Sequence, residues 1–229
     1  MQSDIDSLLL DEDFALVLPY LPSDDERRRA AAVFSLFQEL RKVVLTAKEP
    51  TIASIRLKWW WDRIEEIYSG GTAPIGHPTL QSLENNKVIT KAAMEIIIHG
   101  IDAYATFLET STETSRTPAV SELRDANRVL LLATTDISAW ENDALLTRLS
   151  IYDAARWTID QTPRAIQTHQ KEHLTGELSS APKINLGNKS LSFAFSFVAL
   201  ARGYLVHGAD PWPLRKRLTL FRAVALGRA

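Results

Sequence analysis

The chain contains no cysteine. That excludes disulfides and thiolate-held metals, and it favours a reducing compartment. No apolar run approaches the roughly 18 residues needed to span a bilayer, so any membrane contact is expected to be peripheral. There is no glycine-rich phosphate loop, no HExxH and no GxSxG. The P-loop, zincin and α/β-hydrolase frames are thereby removed. Lys and Arg are absent from residues 1 to 26, where no long apolar stretch occurs either. That segment reads as neither a signal nor a transit peptide. A net charge of −2 gives no global nucleic-acid signature.

What is present is an ordinary globular composition. The 229 residues are 45% hydrophobic and 24% charged, enough to bury a core without covalent staples. One domain over residues 1–229 is expected. Charge is unevenly spread. Asp4, Asp6, Asp11, Glu12, Asp13, Asp24, Asp25 and Glu26 crowd the start. Arg202, Arg215, Lys216, Arg217, Arg222 and Arg228 face only Asp210 near the end. One reading is two solvated ends. The other makes Arg215, Lys216, Arg217 and Arg222 a contact for an anionic membrane surface or an acidic partner.

Periodicity is helical almost throughout. Ser23 to Glu26 reads as a capping box before a helix carrying Val33, Phe37, Leu40 and Val44. Thr51 is expected to cap the next helix, which Gly70-Gly71 stops. A further helix is expected over about 88–109, with Ile97, Ile101 and Tyr104 aligned, and another from Ser121. Residues 110–118 and 179–190 read as polar loops. In Ser192 to Val206 the phenylalanines alternate, yet the length and context favour a buried helix. Asp210 and Pro211 are expected to open a last helix. The fold class read from this pattern is all-α.

The stretch RLKWWWDRIEEI, residues 56–67, is unusual. Three consecutive tryptophans on a helix fan over roughly 200°. Leu57, Trp60, Trp61, Ile64, Ile67 and Tyr68 make one apolar stripe, and Ile52, Ile55 and Trp59 make a second. Apolar residues on two sides predict an inner helix of a bundle. Asp62 and Glu66 share a face at a spacing that can chelate Mg²⁺ on a diphosphate. Lys58 and Arg63 lie within one turn, so the same spacing equally makes a solvated ion-pair face. His169 and His173 stand four apart, a metal-ligand spacing that also suits a solvated or capping pair.

These residues resemble the squalene/phytoene synthase family. The match runs through Val33-Phe34-Ser35-Leu36-Phe37-Gln38-Glu39-Leu40, then Glu49-Pro50, then Ile55-Arg56-Leu57-Lys58-Trp59-Trp60, then His77-Pro78. More closely, it is similar to the divergent branch that includes the mitochondrial complex I assembly factor and its alphaproteobacterial relatives. Weaker echoes are GIDA at Gly100 to Ala103 and the basic stretch from Asp210. The resemblance implies an isoprenoid-synthase-like helical bundle. In the active enzymes two aspartate-rich motifs on facing helices hold Mg²⁺ ions that bind a prenyl diphosphate, and a carbocation forms in an apolar cavity. By this resemblance Phe34, Phe37, Arg56, Trp59 and Trp60 would line that cavity. Plain core packing is the other reading.

The chain departs from the enzymes where the first aspartate motif should fall. Gln38 to Leu45 offers Glu39 but also Arg41 and Lys42, whose charge would compete with Mg²⁺. After residue 150 no paired aspartates occur at turn spacing. The resemblance therefore implies a non-catalytic member of the family, with no catalytic residue, metal or cofactor. Such a protein would bind a protein partner or a lipid-like ligand in assembling a membrane complex, in the cytoplasm or peripheral to the inner membrane, without nucleic acid. The alternative is a prenyl diphosphate-using transferase with a divergent site, in which Asp62 and Glu66 would bind Mg²⁺. A purely structural or regulatory helical domain is the third reading.

Overall fold

The computed structural model describes residues 5, 8, 10–47, 49–110, 118–161, 164–181, 192–207 and 213–226. Among them every regular element is helical: α1 (Glu12–Val17), a 3₁₀ turn (Leu18–Tyr20), α2 (Asp24–Thr46), α3 (Pro50–Tyr68), α4 (Pro78–Asn85), α5 (Lys91–Thr110), α6 (Arg124–Arg128), a 3₁₀ segment (Val129–Ala133), α7 (Ile137–Trp140), α8 (Asp143–Gln161), α9 (Arg164–Ser180), α10 (Ser192–His207) and α11 (Pro213–Leu226). The all-α reading of the sequence holds. Asp210 and Pro211, the loop core at 182–190 and residues 111–117 lie outside the described residues.

The inner helix is α2. Ala30 through Phe37 are buried without interruption. Ala30, Ala31 and Ala32 supply the means, because small side chains let neighbouring helices approach from several sides. The helix starts where Ser23 Oγ accepts the Glu26 N–H at 3.2 Å, which satisfies one of the orphan donors of its first turn. Asp24, Asp25 and Glu26 complement the dipole there.

Helix α3 is not the inner helix that its two stripes predict. Ala53, Leu57, Trp60 and Ile64 are buried, in packing against α5, α2 and α4. The second stripe faces outward, with Ile52 43%, Ile55 65% and Trp59 40% exposed. The start also differs. Glu49 is the N-cap and Pro50 takes the first helical position, so Thr51 lies inside the helix. Pro is suited to N1 because it has no N–H to leave unpaired. At the far end Gly70 adopts φ +93°, and the Gly71 N–H returns to the Glu66 carbonyl at 2.9 Å.

Two further helix starts differ from the sequence reading. Thr90 Oγ1 accepts the Ala93 N–H at 3.2 Å, so α5 begins at Lys91. Residues 120–123 form turns, and α6 begins at Arg124. Helix α4 has no counterpart in the reading at all. There His77 is the N-cap and Pro78 the first residue. A buried hydroxyl pair, Ser35 Oγ and Thr79 Oγ1 at 2.7 Å, fixes α4 on α2.

A single core cluster runs from Leu8 to Leu220. Its centre is aromatic. Phe14 stacks on Phe34 at 4.9 Å between ring centroids, and Phe197 meets both edge-on at 5.3 and 5.5 Å. No helix among the described residues is long and apolar enough to cross a membrane.

Candidate functional site

Docking α4 on α2 carries His77 to the tryptophan helix. The His77 ring centroid lies 5.3 Å from that of Trp59 and 5.1 Å from that of Trp60. Its Nδ1 accepts the Leu80 N–H at 3.4 Å, which leaves Nε2 to carry the ring proton. Between α2 and α3 this arrangement borders a cleft of about 320 Å³. Glu39, Lys42, Val43 and Thr46 form one wall, while Arg56, Trp59, Trp60 and His77 form the other. None of Glu39, Lys42 and Arg56 has an ion-pair partner among the described residues.

Arg56, Trp59 and Trp60 therefore border a cavity, but Phe34 and Phe37 do not. These two are 0% and 1% exposed in the aromatic centre. Their α2 positions face inward onto Phe14, so they fill the interior instead of lining an opening. Asp62 and Glu66 lie outside the cleft as well. Asp62 is held by Lys58 Nζ at 2.5 Å and Glu66 by Arg63 Nη1 at 2.5 Å. Lys58 also sits 3.9 Å over the Trp61 ring, a cation–π contact. Trp61 thus serves the charged face of α3, which completes the account of three tryptophans in a row.

Behind the cleft wall the next α2 residue, Arg41, turns inward. Its Nε donates to Asp153 Oδ1 of α8 at 2.8 Å. Its Nη2 lies 3.6 Å from Asp160 Oδ2, and its guanidinium rests 5.3 Å from the Trp157 ring centroid. The Arg41 and Asp153 side chains are 9% and 3% exposed. Burial, then the charge of Asp153, pushes the Tyr104 phenol well above its ordinary range. The two aspartates that look isolated along the chain are thus gathered by one buried cation.

A second polar centre ties four helices together. Asp13, only 1% exposed, accepts from Tyr152 Oη at 2.7 Å and Tyr204 Oη at 2.6 Å through Oδ2. Lys216 Nζ lies 2.8 Å from Asp13 Oδ1 and 3.1 Å from Glu12 Oε2. Arg156 pairs with Asp11 at 2.7 Å. Burial alone would raise the Asp13 pKa, but Arg156, Lys216 and Tyr204 outweigh it and hold the carboxyl below its ordinary value. Lys216 is consequently not a surface contact. It is 2% exposed, because its position on α11 points at Asp13 while Arg215 and Arg217 stay outside. The Arg222 side chain is outside the described ones. The histidine pair borders another cleft, with Glu122 and Glu177. Among the described residues no group of three or more His, Cys, Asp or Glu could hold a metal.

An all-α bundle, with its cleft between the inner helix α2 and the tryptophan helix α3, is the class these features define. The chain matches the squalene/phytoene synthase family over residues 10–124; it belongs to that family. The matching half holds the cleft and Arg41, whereas Asp153 and α11 lie beyond it. No curated protein and no solved structure matches the chain.

Proposed function

We propose that the protein is a non-catalytic member of its family that binds a lipid-like ligand or a protein partner. The observation that carries this reading is Arg41. The family's resemblance calls for acids from two facing helices around Mg²⁺. Here a guanidinium from α2 occupies the space between helices and already neutralises Asp153. Lys42 adds a second positive charge beside Glu39. This donor set does not fit a divalent cation, since two positive groups would repel it, Asp153 is engaged by Arg41, and Glu39 is a single carboxylate. The filled aromatic centre supports the same reading, because a prenyl chain would find Phe14, Phe34, Phe37 and Phe197 in its way.

Binding in place of catalysis fits a role in assembling a membrane complex, in the cytoplasm or at the surface of the inner membrane. The transferase alternative, with Asp62 and Glu66 as ligands, is weakened by their pairing with Lys58 and Arg63. The deciding experiment is diphosphate release from farnesyl and geranylgeranyl diphosphate, with and without Mg²⁺, beside an active family enzyme. No release is expected. Metal-dependent release would overturn the proposal.

A further inference from the structure

The cleft and the exposed stripe of α3 are continuous. Residues 52, 55, 56 and 59 follow the three-and-four spacing that places side chains on one helix face. Arg56 and Trp59 line the cleft, and Ile52 and Ile55 extend the same face into solvent. An apolar ridge that leads away from two unpaired cations is an amphiphilic surface with nothing in the described chain covering it.

Resting on the non-catalytic reading, we propose that this cleft binds, without any metal ion, an amphiphile whose head is a singly charged phosphodiester, with its chain along Ile52, Ile55 and Trp59. Lys42 and Arg56 come from opposite walls and add two positive charges. Glu39 adds one negative charge in the same cleft. The balance of one positive charge matches one phosphodiester and disfavours a diphosphate, whose extra charge would meet Glu39. The guanidinium fork can hold two phosphate oxygens at once, while the ammonium acts as a point charge. The Trp59 ring is braced by Trp60 at 5.3 Å and by His77 at 5.3 Å, so the apolar wall is preorganised. With Phe14, Phe34, Phe37 and Phe197 packed together in the aromatic centre, the exposed Ile52 and Ile55 offer a chain an apolar path that starts at the cleft.

The test uses the full chain in EDTA, with dihexanoyl phosphatidylglycerol below its micelle concentration, read by calorimetry and tryptophan fluorescence. Saturable binding is expected. Arg56→Glu and Lys42→Glu should each weaken it by about tenfold or more. Ile55→Ser, at the most exposed ridge position, should weaken the lipid but leave the weak binding of glycerophosphoglycerol, the phosphodiester head without its chains, unchanged. All three sites are exposed, and an unchanged urea midpoint shows that each variant folds. Lipid binding that ignores both charge reversals would overturn the proposal. So would glycerophosphoglycerol binding as tightly as the lipid, or inorganic pyrophosphate displacing the lipid at lower concentration. Metal-dependent diphosphate release would instead overturn the non-catalytic reading, whatever the lipid result.

Discussion

Tyr204 donates a 2.6 Å hydrogen bond to Asp13 across 191 residues of chain. With Tyr152 on the same oxygen and Lys216 on the other, it makes one buried carboxylate the meeting point of α1, α8, α10 and α11.

Removing that carboxylate leaves the buried Lys216 ammonium with the half-exposed Glu12 alone to balance it. Asp13→Asn should therefore lower the unfolding free energy by about 3–5 kcal/mol, the range for breaking one side of a buried pair. Urea unfolding measures it. Adding Lys216→Met should recover part of the loss, since the double variant leaves no uncompensated charge.

Acid should reproduce the same loss. The folded-state pKa of Asp13 lies below its unfolded value. Its contribution is then full above the unfolded value of about 3.9 and fades as pH falls through the folded one. The wild-type protein should lose more stability than Asp13→Asn on acidification below about pH 4. Parallel stability curves for the two proteins would contradict this.

Arg41→Met leaves Asp153 buried and unpaired, at an expected cost of about 3–5 kcal/mol. Arg41→Met with Asp153→Leu should be markedly more stable than the single variant. Neither should release diphosphate in the presence of Mg²⁺. Thermal melts and the release assay together check the point.

Gly100 lies where α5 packs against α6 and Val129. A Cβ there would lie 2.7 Å from Val129 Cγ2 and 3.4 Å from the Asp125 carbonyl oxygen. Gly100→Ala should destabilise by about 1–3 kcal/mol through overpacking. Gly100→Ala combined with Val129→Ala should regain some of that, as chemical denaturation would show.

On α11, Leu218 and Phe221 are 57% and 61% exposed, between exposed Arg215 and Arg217. Reversing both arginines to Glu should reduce sedimentation with phosphatidylglycerol vesicles at low salt, and added salt should do the same to the wild type. Unchanged sedimentation of the variant would rule out this face. Lys216 is left alone because its loss would unfold the Asp13 centre.

Local features were legible in the sequence. The Ser23 cap, the aligned Ile97, Ile101 and Tyr104, and the buried helix through Phe197 depend on neighbours within a few residues. The ion pairs at Lys58–Asp62 and Arg63–Glu66 are equally local. Helix α4 escaped because eight residues are too few to show periodicity, although His77-Pro78 spells a cap followed by N1. Lys216 looked like one of four surface bases because nothing nearby distinguishes its helix face. Asp13 and Asp153 gave no signal, since their partners lie 139 and 112 residues away. Trp59 is the instructive case. Its apolar character suggested burial, and only the packing of α5 on the opposite stripe leaves it at the surface.

The Asp13 centre also sets an order of events during synthesis. Asp11, Glu12 and Asp13 emerge first, yet Tyr152, Arg156, Tyr204 and Lys216 complete their environment. Until translation has passed residue 216, the Asp13 carboxylate lacks the ammonium that balances it in the folded protein. Contacts this distant in sequence also slow folding. The Asp13 centre therefore closes only after residue 216 has been made, whatever part of the core has formed by then.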